Sequence, residues 1–286
     1  MVVKSYRYLK TLSLALAVEL AISSGLSATA IQYSQQQQPQ NSRGELLALQ
    51  RRLRFSVRGL RASRGLRGGA ARGACLSAND SLKLILPPTV SEQEKDQVYS
   101  VSTIAARPKF FVYVPQTSAQ KAKFTLSSEN EKNLVEASSE NEKNLVEATF
   151  ALTGTPGVVS FSLPTNAPPL EVGKTYKWSV QIVCETGDGD NGGNLIAEGE
   201  VERIQPPAAL VNIEKVAPRQ RLYLYVDAQL WYDSVTTLAE LQHTNPQNLS
   251  LKKDWEDLLN SVHLDTVAKA LLLPEVTLFQ ESNQNN

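Results

Sequence analysis

Apolar and polar residues alternate with a period of two along much of the chain between Leu82 and Ile204, and the period changes only after Pro206-Pro207. The clearest segment runs from Thr175 to Cys184. There Tyr176, Trp178, Val180, Ile182 and Cys184 alternate with Lys177, Ser179 and Gln181, which buries one face and wets the other. Leu82 to Leu86, stopped by Pro87-Pro88, has the form of an opening edge strand. Lys109 to Val114, Ala122 to Leu126, Ala148 to Leu152, Val158 to Leu163 and Leu195 to Ile204 follow, separated by Gly and Pro turns. About seven short strands at this spacing predict an immunoglobulin-like antiparallel β-sandwich.

Beyond Pro207 the apolar steps become three and four. Leu224, Ala228, Trp231, Val235, Leu238 and Leu241 predict one amphipathic helix, ended by the stretch from His243 to Pro246. Trp255, Leu258, Leu259 and Val262 predict a second helix with Ser250 as its N-cap, and Asp265 opens a short third. The fold class is therefore mainly β with C-terminal helices. One domain spans 74–278, with strands over about 81–204 and helices over about 222–273, and a polar tail at 279–286 reads as disordered.

The N-terminal region changes the picture. Lys4, Arg7 and Lys10 precede an apolar run from Leu12 to Leu26 and the small-x-small sequence Ala28-Thr29-Ala30, so residues 1–30 read as a signal peptide, with a retained anchor as the alternative because Glu19 interrupts the run. No later stretch approaches the roughly 20 apolar residues that span a bilayer, so the processed chain carries no integral span. Residues 31–73 read as a disordered Gln/Arg/Gly-rich linker: glutamines occupy 35–38, and no acidic residue lies among the arginines from Arg51 to Arg72. Two readings stand for these arginines. One is a solvated linker, and the other is a contact for anionic surfaces through Arg51, Arg52, Arg54, Arg58, Arg61 and Arg64, whose guanidinium groups can grip carboxylate or phosphate in bidentate fashion. The segment lacks the interleaved stacking groups of nucleic-acid binders, and the chain as a whole balances 29 basic against 29 acidic residues, so nucleic acid is not an expected partner.

Only Cys75 and Cys184 are present, and in an exported chain they read as one structural disulfide; a redox or metal-binding pair would need a second thiol nearby or a His cluster. The loop Asp188 to Asn194 offers oxygen ligands, but Gly199 stands where a calcium loop needs its bidentate Glu, so a hairpin loop is the expectation and no metal is assigned. His243 and His263 are isolated. Asp227 with Asp233, or Glu171 with Glu185, can be paired on paper only, and the Gly68-Gly69 and Gly192-Gly193 pairs match no phosphate or dinucleotide fingerprint. No catalytic residue and no cofactor is therefore assigned. Within Trp231-Tyr232-Asp233, Trp231 continues the buried stripe while Tyr232 falls about 100° away and is expected at the surface, which makes Tyr232 and Asp233 the candidate binding surface. Ser127 to Ala137, SSENEKNLVEA, recurs at once as Ser138 to Ala148, a duplication that lengthens a hairpin loop and leaves either copy able to start the returning strand.

Arg67-Gly68-Gly69-Ala70-Ala71-Arg72-Gly73-Ala74-Cys75 and Arg107-Pro108-Lys109-Phe110-Phe111-Val112-Tyr113-Val114-Pro115 open a pattern. It continues through Pro156-Gly157-Val158-Val159, Leu163-Pro164, Pro169-Leu170-Glu171-Val172-Gly173-Lys174-Thr175-Tyr176-Lys177-Trp178, Cys184, Gly199-Glu200-Val201-Glu202-Arg203 and Leu230-Trp231-Tyr232-Asp233-Ser234. This pattern, over roughly Arg67 to Pro274, resembles the domain of unknown function 928 family, found chiefly in cyanobacteria. The resemblance implies an exported protein with a disulfide between the Gly-Arg segment and the Tyr-x-Trp strand, and it implies no reaction. The chain departs from the family pattern at Ala70-Ala71, at Gln229, where glycine is preferred, and in the 11-residue duplication. The expectation is an exported, non-enzymatic protein-interaction module of the cell envelope or periplasm with an unidentified protein partner. The alternative is a glycan-binding or small-ligand-binding envelope protein, and a hydrolase is the third reading.

Overall fold

The computed structural model describes residues 52–62, 75, 81–89, 98–128, 143–184 and 195–280. The signal segment, Arg51, Arg64, the rest of the linker, most of the repeat, the 185–194 loop and the tail from 281 lie outside the described residues. Among the described residues eight strands form two sheets: β1 (Lys83–Leu84), β2 (Val101–Thr103), β3 (Lys109–Val114), β4 (Lys121–Ser128), β5 (Lys143–Ala151), β6 (Gly157–Ser162), β7 (Lys174–Val183) and β8 (Leu195–Arg203). A three-stranded sheet has the order β1-β3-β6, and a five-stranded sheet the order β2-β8-β7-β4-β5. Every pairing between these strands is antiparallel except β2 on β8, which is parallel. The class is mainly β with C-terminal helices.

The sheets face each other across an aromatic core. Phe110 meets Trp178 at 4.9 Å between ring centroids, Phe124 meets Phe161 at 4.9 Å, and Phe150 stacks on Phe161 at 5.2 Å. β7 alternates buried and partly exposed residues along its length, because its outer face meets water. β3 does not alternate: Phe110, Phe111 and Val112 are all buried, and Phe111 lies 6.4 Å from Trp255 on the other side of the sheet. Gly199 faces Trp178 across the β7–β8 ladder. A Cβ there would stand 2.5 Å from a Leu86 methyl and 2.8 Å from a Leu84 methyl, so a side chain at this position would push both leucines aside.

Among the described residues four α-helices follow: α1 (Pro218–Asp227), α2 (Trp231–Thr244), α3 (Leu249–Asn260) and α4 (Asp265–Ala268). The single helix expected from Leu224 to Leu241 is two helices, broken where Gln229 takes the left-handed conformation at φ 58°. That conformation strains any side chain and suits glycine, the residue the family pattern prefers there. The N-cap of α3 is Asn248 rather than Ser250; its side chain accepts hydrogen bonds from the amides of Ser250 and Leu251.

Residues 52–62 do not behave as a disordered linker. Leu53 and Phe55 are buried, and Phe55 makes an edge-on contact with Trp231 at 4.9 Å. The Phe55 amide donates to Ser261 Oγ at 2.9 Å, the Gln229 side chain donates to the carbonyl of Ser56 at 3.0 Å, and Ala62 bridges Tyr99. Leu53 and Phe55 alternate with the arginines, and their burial holds the segment against the domain.

The duplicated segment enters β4 through Ser127 and Ser128 of the first copy and β5 through Lys143 to Ala148 of the second. Thr149 and Phe150 decide the choice of copy. Phe150 pairs across from Ala122 and fills the core, whereas a first-copy pairing would put Ser139 in its place. Deleting one copy leaves Glu-Asn-Glu between the strands, a three-residue hairpin connection in place of residues 129–142. The shorter loop is expected to stabilise the domain by about 1 kcal/mol through its lower closure entropy. Thermal melting of the deletion protein checks this, and a fall of several degrees would refute it.

Candidate functional site

β2 and the chain entering β3 run beside α1 and α2, and between them lies a cleft of about 340 Å³. Its lining includes Thr103, Arg107 and Lys109 from the strand side and Arg221, Asp233 and Thr237 from the helices. Tyr225 and Tyr232 also line it.

Tyr232 is not at the surface. It is 3% exposed and reaches between the sheets, where the Trp178 indole N–H donates to its hydroxyl at 2.8 Å and the hydroxyl donates to the Glu200 carbonyl at 2.8 Å. Helical spacing placed Tyr232 off the apolar stripe correctly, but the sandwich wraps round that side of α2 and supplies polar partners for the hydroxyl. Burial pushes its pKa well above the ordinary tyrosine value, against the Trp178 hydrogen bond.

Asp233, 8% exposed, stands in the first turn of α2, where the helix dipole favours an acid. The Ile104 amide donates to its Oδ2 at 3.2 Å. Burial raises the carboxyl to about 6, opposed by hydrogen bonds from the Thr103 side chain and from the amides of Ile104 and Asp233 itself. The folded state thus disfavours the anion. Asp233 contributes its full stabilisation below about pH 4 and loses it as pH rises through 6, a difference of about 3 kcal/mol. Asp233→Asn is expected to abolish this dependence. Denaturant midpoints of both proteins between pH 4 and 8 check it; parallel profiles would contradict it.

The cations are held by backbone oxygens or by acids. Arg107 donates to the carbonyls of Pro164 at 3.2 Å and Ala167 at 2.5 Å, and Arg221 Nη2 donates to those of Glu214 at 3.2 Å and Val216 at 3.0 Å. Arg221 Nε is buried with no acceptor. Lys109 contacts Glu240 at 3.3 Å and Glu275 at 3.0 Å. Burial opposes its charge, but Glu275 and Glu240 outweigh it and raise the pKa.

Cys75 and Cys184 form a disulfide with Cα atoms 5.6 Å apart, which fits an oxidising compartment. Among the described residues, no helix is long and apolar enough to cross a membrane. Arg52, Arg54, Arg58 and Arg61 are exposed, and none lines the cleft. Arg107, Lys109, Tyr225, Arg221 and Thr237 had not been singled out from sequence. The signal available for Thr237 was its four-residue step from Asp233, which puts both on one helical face.

The architecture is a two-sheet β module with a helical cover and a polar cleft where the two meet. A family model described as Domain of Unknown Function (DUF928) matches residues 67–272, and the chain belongs to that family. The 52–62 segment precedes the matched region. No curated protein matches the chain.

Proposed function

We propose that this is an exported, non-enzymatic binding protein whose cleft holds a small hydroxylated anion, of the class of carboxylated sugars in envelope glycans. The observation that carries the reading is the cleft itself, where Arg221, Arg107 and Lys109 stand round Asp233. A ligand carboxylate would meet guanidinium and ammonium groups there in charge-assisted hydrogen bonds. Asp233 and the Thr237 and Tyr225 hydroxyls offer partners for sugar hydroxyls. The cleft volume falls in the range of small-molecule sites. The disulfide and the apolar run after Lys10 support export. The reading of a protein-interaction module loses the exposed aromatic that motivated it, because Tyr232 is inside the core.

Calorimetric titration with galacturonate, and with galactose as its neutral counterpart, tests the proposal. Galacturonate is expected to bind at least about tenfold more tightly, and Arg221→Gln, which removes the guanidinium charge, to cost about tenfold. Equal affinities, or no heat from either sugar, would overturn it.

A further inference from the structure

The arginine-bearing segment from Arg52 to Arg61 is an extended strip anchored to the domain. Arg52, Arg54, Ser56 and Arg58 are exposed while Leu53 and Phe55 between them are buried, the alternation of an extended chain. Leu60 N–H donates to the Val57 carbonyl at 3.1 Å, closing a turn at Gly59, whose φ is 86°, and this brings the chain round to Arg61. The backbone is gripped from several sides. Gln229 Nε2 donates to the carbonyls of Ser56 at 3.0 Å and Arg58 at 3.3 Å, the Ser100 amide donates to the Arg61 carbonyl at 2.8 Å, and the Phe55 amide donates to Ser261. The four guanidinium groups form no ion pair among the described residues.

We propose that residues 52–61 are a preset contact for a linear acidic polysaccharide, with Arg52, Arg54, Arg58 and Arg61 each meeting a carboxylate. Guanidinium matches carboxylate in a planar, bidentate fork. The strip's backbone is ordered before any ligand arrives, so binding costs only the ordering of the arginine side chains. The direction in which the apolar residues point separates this partner from other polyanions. Leu53 and Phe55 face the core, so the strip presents nothing apolar to insert into a bilayer. Phe55 is spent on Trp231 and offers no platform for a nucleic-acid base. The strip acts without the cleft and needs no occupant there.

The test is binding of polygalacturonate to the purified full chain and to a variant carrying Arg52→Gln, Arg54→Gln, Arg58→Gln and Arg61→Gln together. The four changes are expected to weaken binding by at least about tenfold, the sum of four exposed charge contacts, and to leave the melting temperature and galacturonate titration unchanged. Gln229→Gly, which releases the strip and keeps every charge, is expected to weaken the polymer by a smaller factor. Retention of wild-type polymer affinity by the four-fold variant would overturn the proposal. So would tighter binding to phosphatidylserine vesicles, or to single-stranded DNA of equal charge, than to polygalacturonate. Arg221→Gln is expected to weaken galacturonate and leave polymer binding unchanged, and a parallel loss of polymer binding would overturn a strip that acts without the cleft.

Discussion

Replacing Cys75 and Cys184 together by alanine is expected to lower the stability of the folded domain by about 4 kcal/mol, the largest effect of any change considered. The bond joins residues 109 apart in sequence, and closing so long a loop removes much of the freedom of the unfolded chain. The folded side is already in place without it. The Cys75 carbonyl accepts from the Thr117 hydroxyl at 2.8 Å and the Ser118 amide at 3.2 Å, beside the start of β4, while Cys184 follows the end of β7, the strand with which β4 pairs. The alanine protein is therefore expected to keep its fold and melt roughly 8–16 °C lower. Urea unfolding of both proteins provides the check, and a difference below about 1 kcal/mol would mean that the disulfide does not constrain the unfolded chain.

The second large effect falls on Tyr232. Tyr232→Phe keeps the ring against Phe110, 5.8 Å away, and removes only the hydroxyl. The Trp178 N–H then has no acceptor in a position 1% exposed, and the Glu200 carbonyl loses one hydrogen bond. An orphaned buried donor costs about 1–3 kcal/mol and the second bond about 1, so a loss of about 2–4 kcal/mol is expected. The penalty should couple to Trp178. In a double-mutant cycle with Trp178→Phe, the loss at Tyr232 should shrink by about 1 kcal/mol or more, since the donor is already gone. Additive losses would show that the hydroxyl stabilises the fold by some other route.

These two residues also show what the sequence made legible. β7 could be read because one of its faces is wet, so Tyr176, Trp178, Val180 and Ile182 stand out against polar neighbours. β3 was found as an apolar run, but its burial on both faces could not be inferred, because that depends on α3 bringing Trp255 over Phe111. β2 went unseen: Val101, Ser102 and Thr103 are too short a run to show a period, and their partner is β8, about a hundred residues away. The break between α1 and α2 was hidden for a different reason. Gln229 adopts a conformation that glycine would have signalled, and the apolar steps continue through Ala228 to Trp231 as though the helix were whole.

The candidate site was half legible. Asp233 was singled out for its place beside an aromatic pair, and it does line the cleft, although Tyr232 serves the core. The cations came from elsewhere in the chain. Arg107 and Lys109 arrive on the approach to β3 and Arg221 on α1, and only the packing of helices against the strand side brings them to Asp233. In the arginine segment the charges were conspicuous and the anchoring residues were not. Leu53 and Phe55 acquire meaning only once Trp231 supplies the surface they bury.

The most direct test of the binding reading is amide chemical-shift mapping of the protein during titration with galacturonate. Shifts are expected to concentrate at Thr103, Ala105, Thr236 and Thr237, which line the cleft. Shifts confined to residues away from this cleft, or none at saturating sugar, would contradict it.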